Sequence, residues 1–127
     1  MSDFRTPLGK ARGHGAAGEG VHEFITHRVS AVILALIFPF FLYGLMKALP
    51  GGYDGLYAWV KSGFGAFTML IMITAGLYHG RIGINEVILD YVPSHTGRKL
   101  FVLLNSLLAF SCWLIGTMAV LKIWLGA

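Results

Sequence analysis

The sequence predicts an all-α fold, an integral membrane protein with three transmembrane helices. Two observations carry that prediction. The 127 residues are 56% hydrophobic and only 13% charged, against about 25% charged in soluble domains. Lys, Arg, Asp and Glu are also absent from Val29 to Met46, from Ser62 to Gly80 and from Leu100 to Leu121. Each of these runs is close to the ~20 residues that cross ~30 Å of hydrocarbon as a helix. A soluble helical bundle would keep a polar face for water. These runs have none to offer, and the middle one is polar only at Ser62, Thr68, Thr74 and His79.

Taken in order, residues 1–28 form a polar N-terminal segment with glycines at Gly9, Gly13, Gly15, Gly18 and Gly20. It lacks the basic start, apolar core and cleavage site of a secretory signal, and the Arg- and Ser-rich pattern of a transit peptide. A bacterial inner membrane is the simpler address. Residues 29–127 form the anchor domain, with spans expected near 29–49, 62–86 and 100–124. Pro39 interrupts the first span, where neighbouring groups can satisfy the freed carbonyl, so a kink is expected there and not a break. Pro50, Gly51 and Gly52 end that span, and a connection from Pro93 to Gly97 separates the second from the third. The single cysteine, Cys112, lies in the third run as a small hydrophobe, which excludes a disulfide or cysteine-metal framework.

Three spans place the N-terminal segment and the second connection on one side of the membrane. That side carries Arg5, Lys10, Arg12, Arg28, Arg81, Arg98 and Lys99; the other carries Lys47, Lys61 and Lys122. The positive-inside tendency makes the N-terminus cytoplasmic and the C-terminus periplasmic. Tyr53, Tyr57 and Trp59 in the first loop, with Trp124 near the C-terminus, read as aromatic anchors at the outer interface. The net charge of +4 is spread over helix ends instead of forming a stripe, so it points to membrane topology and not to nucleic acid.

Of the five histidines, only His79 lies in an apolar run. Polar groups are expensive there and need a partner. In a continuous helix Gly76 and Gly83, three before and four after, share its face, so a flat ring system could approach the backbone. Two readings fit these residues: an imidazole on a haem iron, or a helix packing contact of the kind small residues favour. His14, His22, His27 and His95 lie outside the spans, so a six-coordinate haem would need a ligand from another chain. Glu86 falls on the histidine's face as well, with no assigned role.

Ahead of the first span, GVHEFITHR places His22 and Arg28 near the inner surface. The planar fork of Arg28 suits a carboxylate or propionate, although an arginine at a helix end also simply sets topology. Past the second span come Asp90 and Tyr91. Eleven residues from His79 bring the helical phase nearly back to its start, so His79 and Asp90 would face the same neighbour. A tyrosine hydroxyl can donate to a carbonyl oxygen, with a carboxylate orienting it or a proton-carrying water. An interfacial tyrosine beside a solvated aspartate is the other reading.

Together GVHEFITHR before the first span and HGRIGINEVILDY around the end of the second resemble the small hydrophobic membrane-anchor subunit of succinate dehydrogenase, respiratory complex II. The resemblance covers essentially the whole chain. Its most specific part is the spacing of His79, Gly83, Asp90 and Tyr91. It implies that His79 is an axial ligand of haem b, with the opposite ligand from a second membrane-anchor subunit. It implies further that His22 and Arg28 lie near the haem propionates and that Tyr91, beside Asp90, contacts ubiquinone. FAD and the iron–sulfur clusters would belong to the flavoprotein and iron–sulfur subunits, in keeping with the absence here of a dinucleotide fingerprint and of several cysteines. The chain would then hold no residue of succinate oxidation itself. Rival expectations are a fumarate reductase anchor, or a structural or transporter accessory subunit with His79 and Glu86 on a polar path.

Overall fold

Local chemistry sets where each helix starts and stops. The computed structural model describes residues 18–126. The expectations for the first 17 residues, including the sidedness of Arg5, Lys10 and Arg12, lie outside the described residues. Helix α1 spans Gly18–Ala48 and runs unbroken through Pro39, as the apolar context allows. A 3-10 turn at Leu49–Gly51 then carries Pro50 near its start. Gly52 follows at φ 58°, a left-handed value that favours glycine.

The first connection is not an open loop, because Gly52–Lys61 form a short helix, α2. Ser62 caps the next helix, α3 (Gly63–Tyr91), by accepting from the Gly65 N–H at 3.0 Å. This is the usual way to satisfy a free donor at a helix start. Val92 ends α3 in an extended conformation, as expected of a residue that precedes proline. Ser94 caps α4 (His95–Leu125) through the Gly97 N–H. The second connection is therefore only three residues, shorter than the Pro93–Gly97 segment expected, because Ser94 starts the helix within it. Gly126 closes α4 at φ 72°, the common left-handed helix terminus.

Helix α3 is central: α1 packs on one of its sides and α4 on another, and α1 and α4 do not touch. The seams use small residues. Gly65, Ala66, Thr68 and Ala75 of α3 are buried, as are Ser30, Gly44 and Ala48 of α1, which lets backbones approach closely where lipid gives no hydrophobic drive for pairing. The Thr68 hydroxyl donates back to the Phe64 and Gly65 carbonyls, so its burial leaves no polar group unpaired.

Short helix α2 docks by the same device. A Cβ at Gly44 would collide with the Trp59 indole, and one at Gly55 would collide with the Ala48 backbone carbonyl. Trp59 thus packs on α1, its ring centroid 5.6 Å from that of Phe41, and does not stand out as a free interfacial anchor like Tyr53, which is exposed.

Polar bonds join α3 to α4. Asn105 donates to the Arg81 carbonyl and to Asn85 Oδ1, Arg81 donates to Ser106 Oγ, and Trp113 donates to Thr74 Oγ1. Outside the seams, large apolar side chains such as Leu36, Phe67, Leu108 and Ile115 are exposed. With three helices long and apolar enough to span, that exterior suits lipid and protein partners and not water.

Candidate functional site

His79 faces α1. Its Nδ1 lies 3.1 Å from the hydroxyl of Ser30, a residue only 4% exposed. One helical turn earlier on α1, His27 sets its ring against that of His79, with centroids 4.4 Å apart and planes tilted by 39°. His27 in turn places Nδ1 3.4 Å from Glu86 Oε1. Residues 27 and 30 of α1 thus meet residues 79 and 86 of α3, as the three- and seven-residue spacings require for single helix faces. Glu86, without a role in the sequence, buttresses His27. Next to this cluster the seam is apolar, with Val29, Ile33, Leu70, Ile71 and Ala75 among the residues lining a cleft of about 670 Å³. Low polarity strengthens the Ser30–His79 bond.

The other candidate residues stand apart from His79. His22 is exposed on α1, and Arg28 is exposed with its guanidinium 4.8 Å above the Phe24 ring. Asp90 and Tyr91 close α3 in the open, Tyr91 being 82% exposed. Because α3 is unbroken to Tyr91, Asp90 keeps the phase of His79 at roughly 16 Å along the axis. Among the described residues, no hydrogen bond or ion pair ties His22, Arg28, Asp90 or Tyr91 to His79.

Sequence reasoning missed Ser30 and His27. Their spacing of three beside an apolar run was the available signal, but the pairing with position 79 depends on helix rotation. It also missed the Arg81, Asn85, Asn105 and Ser106 cluster, since Arg81 was read only as a topology charge.

A model of the succinate dehydrogenase/fumarate reductase transmembrane subunit family matches residues 2–117. The chain belongs to that family. Members named as the succinate dehydrogenase hydrophobic membrane anchor subunit are similar to it along most of its length. The Rickettsia prowazekii protein is 31% identical over 106 residues, 83% of this chain and 84% of that one. The Rickettsia conorii protein is 29% identical with the same coverage, and the Paracoccus denitrificans protein is 27% identical over 98% of this chain and 95% of its own. No solved structure gives a significant match. With bacterial relatives and three long apolar helices, this family member is a multi-pass protein of a bacterial inner membrane, where it serves as an anchor subunit.

The anchor's residues fit a haem. Among the described residues, no three His, Cys, Asp or Glu side chains gather as a metal cage. A metal held at His79 would draw its other ligands from outside the described residues, as a haem iron does from its macrocycle. A Cβ added at Gly80 or Gly83 would meet no atom within 4 Å, which leaves the surface of α3 beside His79 open to a flat group. The His27 and His79 rings, with centroids 4.4 Å apart, leave no room for a metal ion between them. Two metal–nitrogen bonds of about 2 Å on opposite sides of an iron hold the nitrogens about 4 Å apart and the ring centroids farther still, more than the side-by-side rings of His27 and His79 allow.

Proposed function

We propose that this anchor subunit belongs to a succinate:ubiquinone oxidoreductase. In this reading it shares a haem b with a second anchor subunit, of cytochrome b type, and completes the site where ubiquinone is reduced. The observation that carries the proposal is the imidazole of His79, held in the α1–α3 seam by Ser30, with Asp90 and Tyr91 three turns along the same helix. His79 would hold the haem iron from this chain's side, with a second ligand from the partner anchor.

Arg28 and His22 stand on the exposed side of α1, free to donate to propionate carboxylates through a planar fork and an imidazole N–H. Tyr91 donates its hydroxyl to a quinone oxygen, and Asp90 orients that group or holds a proton-carrying water beside it. Bound haem supplies a one-electron store near the quinone. Succinate oxidation, FAD and the iron–sulfur clusters belong to the flavoprotein and iron–sulfur subunits, which dock on the cytoplasmic side. That side is the one the basic residues assign to the N-terminus.

Affinity purification of the chain from membranes tests this directly. A flavoprotein and an iron–sulfur protein are expected to copurify, with a b-type signal in the reduced-minus-oxidised spectrum. His79→Ala is expected to lower the haem content or alter that spectrum. An unchanged spectrum and stoichiometry in the variant would move the ligand elsewhere, and a complex with no b-type signal would leave the chain an anchor without haem.

A further inference from the structure

Two groups meet the His79 ring, the Ser30 hydroxyl and the His27 ring. Ser30 Oγ lies 2.8 Å from the His27 carbonyl oxygen, which can only accept, so the Ser30 proton is used there. The same hydroxyl oxygen lies 3.1 Å from His79 Nδ1. When that proton goes to the carbonyl, the Ser30 oxygen is left to accept from His79. In that arrangement Nδ1 carries the imidazole proton and Nε2 the lone pair. Among the described residues, Ser30 is the hydrogen-bond partner of this ring, and the His27 ring at 4.4 Å limits its rotation.

We propose that Ser30 is a positioning residue for the haem ligand: it fixes His79 as the Nδ1–H tautomer, aims Nε2 at the iron and raises the basicity of that nitrogen. The inference rests on the reading of His79 as an axial ligand and adds how this chain prepares it. The partner on a ligating histidine's other nitrogen sets tautomer, ring orientation and donor strength. In most such pairs the acceptor is a carbonyl, a carboxylate or water. Here it is a buried hydroxyl on a neighbouring helix, so ligand strength depends on how α1 and α3 meet. Thr26, whose hydroxyl donates to the His22 and Glu23 carbonyls, turns to its own helix instead.

The test uses the assembled membrane complex with the wild-type chain, Ser30→Ala, Ser30→Thr or His79→Ala. The readouts are the haem-to-flavin ratio, the low-spin resonance g values of oxidised haem and the haem midpoint potential. Losing the acceptor makes His79 a weaker donor and lessens the preference for ferric over ferrous iron. For Ser30→Ala the expected loss of preference is on the order of tenfold, an upward shift of about 59 mV for a one-electron couple, with altered g values. Ser30→Thr keeps a hydroxyl and is expected to return both towards wild type. Wild-type potential and g values in Ser30→Ala, where His79→Ala has lost its haem, overturn the role of Ser30 and leave His79 as ligand. Normal haem in His79→Ala overturns the reading beneath it. If Ser30→Ala fails to assemble, Ser30→Cys decides, because a thiol is close in size and accepts weakly: an upward shift supports the proposal, and a wild-type potential overturns it.

Discussion

Tyr91 ends α3 with most of its side chain exposed, and among the described residues its hydroxyl makes no hydrogen bond. As the proposed donor to a quinone oxygen, it contributes one neutral hydrogen bond, worth about 1 kcal/mol net or roughly fivefold in affinity. Tyr91→Phe should therefore raise the KM for ubiquinone several-fold and slow its reduction. Assembly and succinate oxidation by artificial acceptors should stay at wild-type levels. Quinone titrations of purified complexes measure this, and unchanged kinetics would remove Tyr91 from the site. His79 differs from Tyr91 because the chain already holds its ring: Ser30 fixes one nitrogen, and His27, backed by Glu86, fixes the plane.

The two seams of α3 are built differently. Towards α1 the contacts are small residues and the His27, Ser30 and His79 group. Towards α4 the seam carries side-chain hydrogen bonds, with Asn105 bridging the Arg81 carbonyl at 2.9 Å and Asn85 at 2.8 Å. In lipid such bonds are worth from about 0.6 to 2 kcal/mol. Asn105→Ala breaks two of them and leaves the Asn85 acceptor without its partner. It should lower the stability of the α3–α4 pair by about 1 kcal/mol, seen as earlier loss of the complex in a detergent or thermal titration. If stability is unchanged, Asn105 is not holding this seam. At 29 residues, α3 is roughly 44 Å long, longer than the hydrocarbon layer, so it must tilt or project. Projection at its C-terminal end would bring Asp90 and Tyr91 to the membrane surface.

Across the described residues, three spans with α3 in the middle leave apolar faces of α1 and α4 without a partner helix. One flank must meet lipid, and the proposal gives another to the second anchor subunit. Seven of the ten Lys and Arg residues lie on the proposed cytoplasmic side. The positive-inside tendency then predicts that a periplasmic-active reporter, such as alkaline phosphatase, is active when fused at the C-terminus and inactive when fused at the N-terminus. The opposite pattern would invert the chain and place the Asp90 and Tyr91 end of α3 away from a cytoplasmic electron donor.

Three apolar runs long enough to span, and the breaks at Pro50–Gly52 and after Val92, were legible in the sequence. Those features are local. Apolar runs are read from transfer free energies residue by residue, Ser62 and Ser94 cap the turns they begin, Pro93 forces Val92 out of the helix, and Gly126 ends α4. The spacing of His79, Gly83, Asp90 and Tyr91 was legible for the same reason, since all four lie on one helix. That Gly52–Lys61 form a helix was not legible, because its docking depends on Trp59 seating over Gly44 and Gly55 meeting Ala48. Which α1 residues face His79 is a matter of helix packing. Ser30 and His79 are 49 positions apart, and whether they meet depends on the rotation and register of two helices, which close-packed small residues set and hydropathy does not encode.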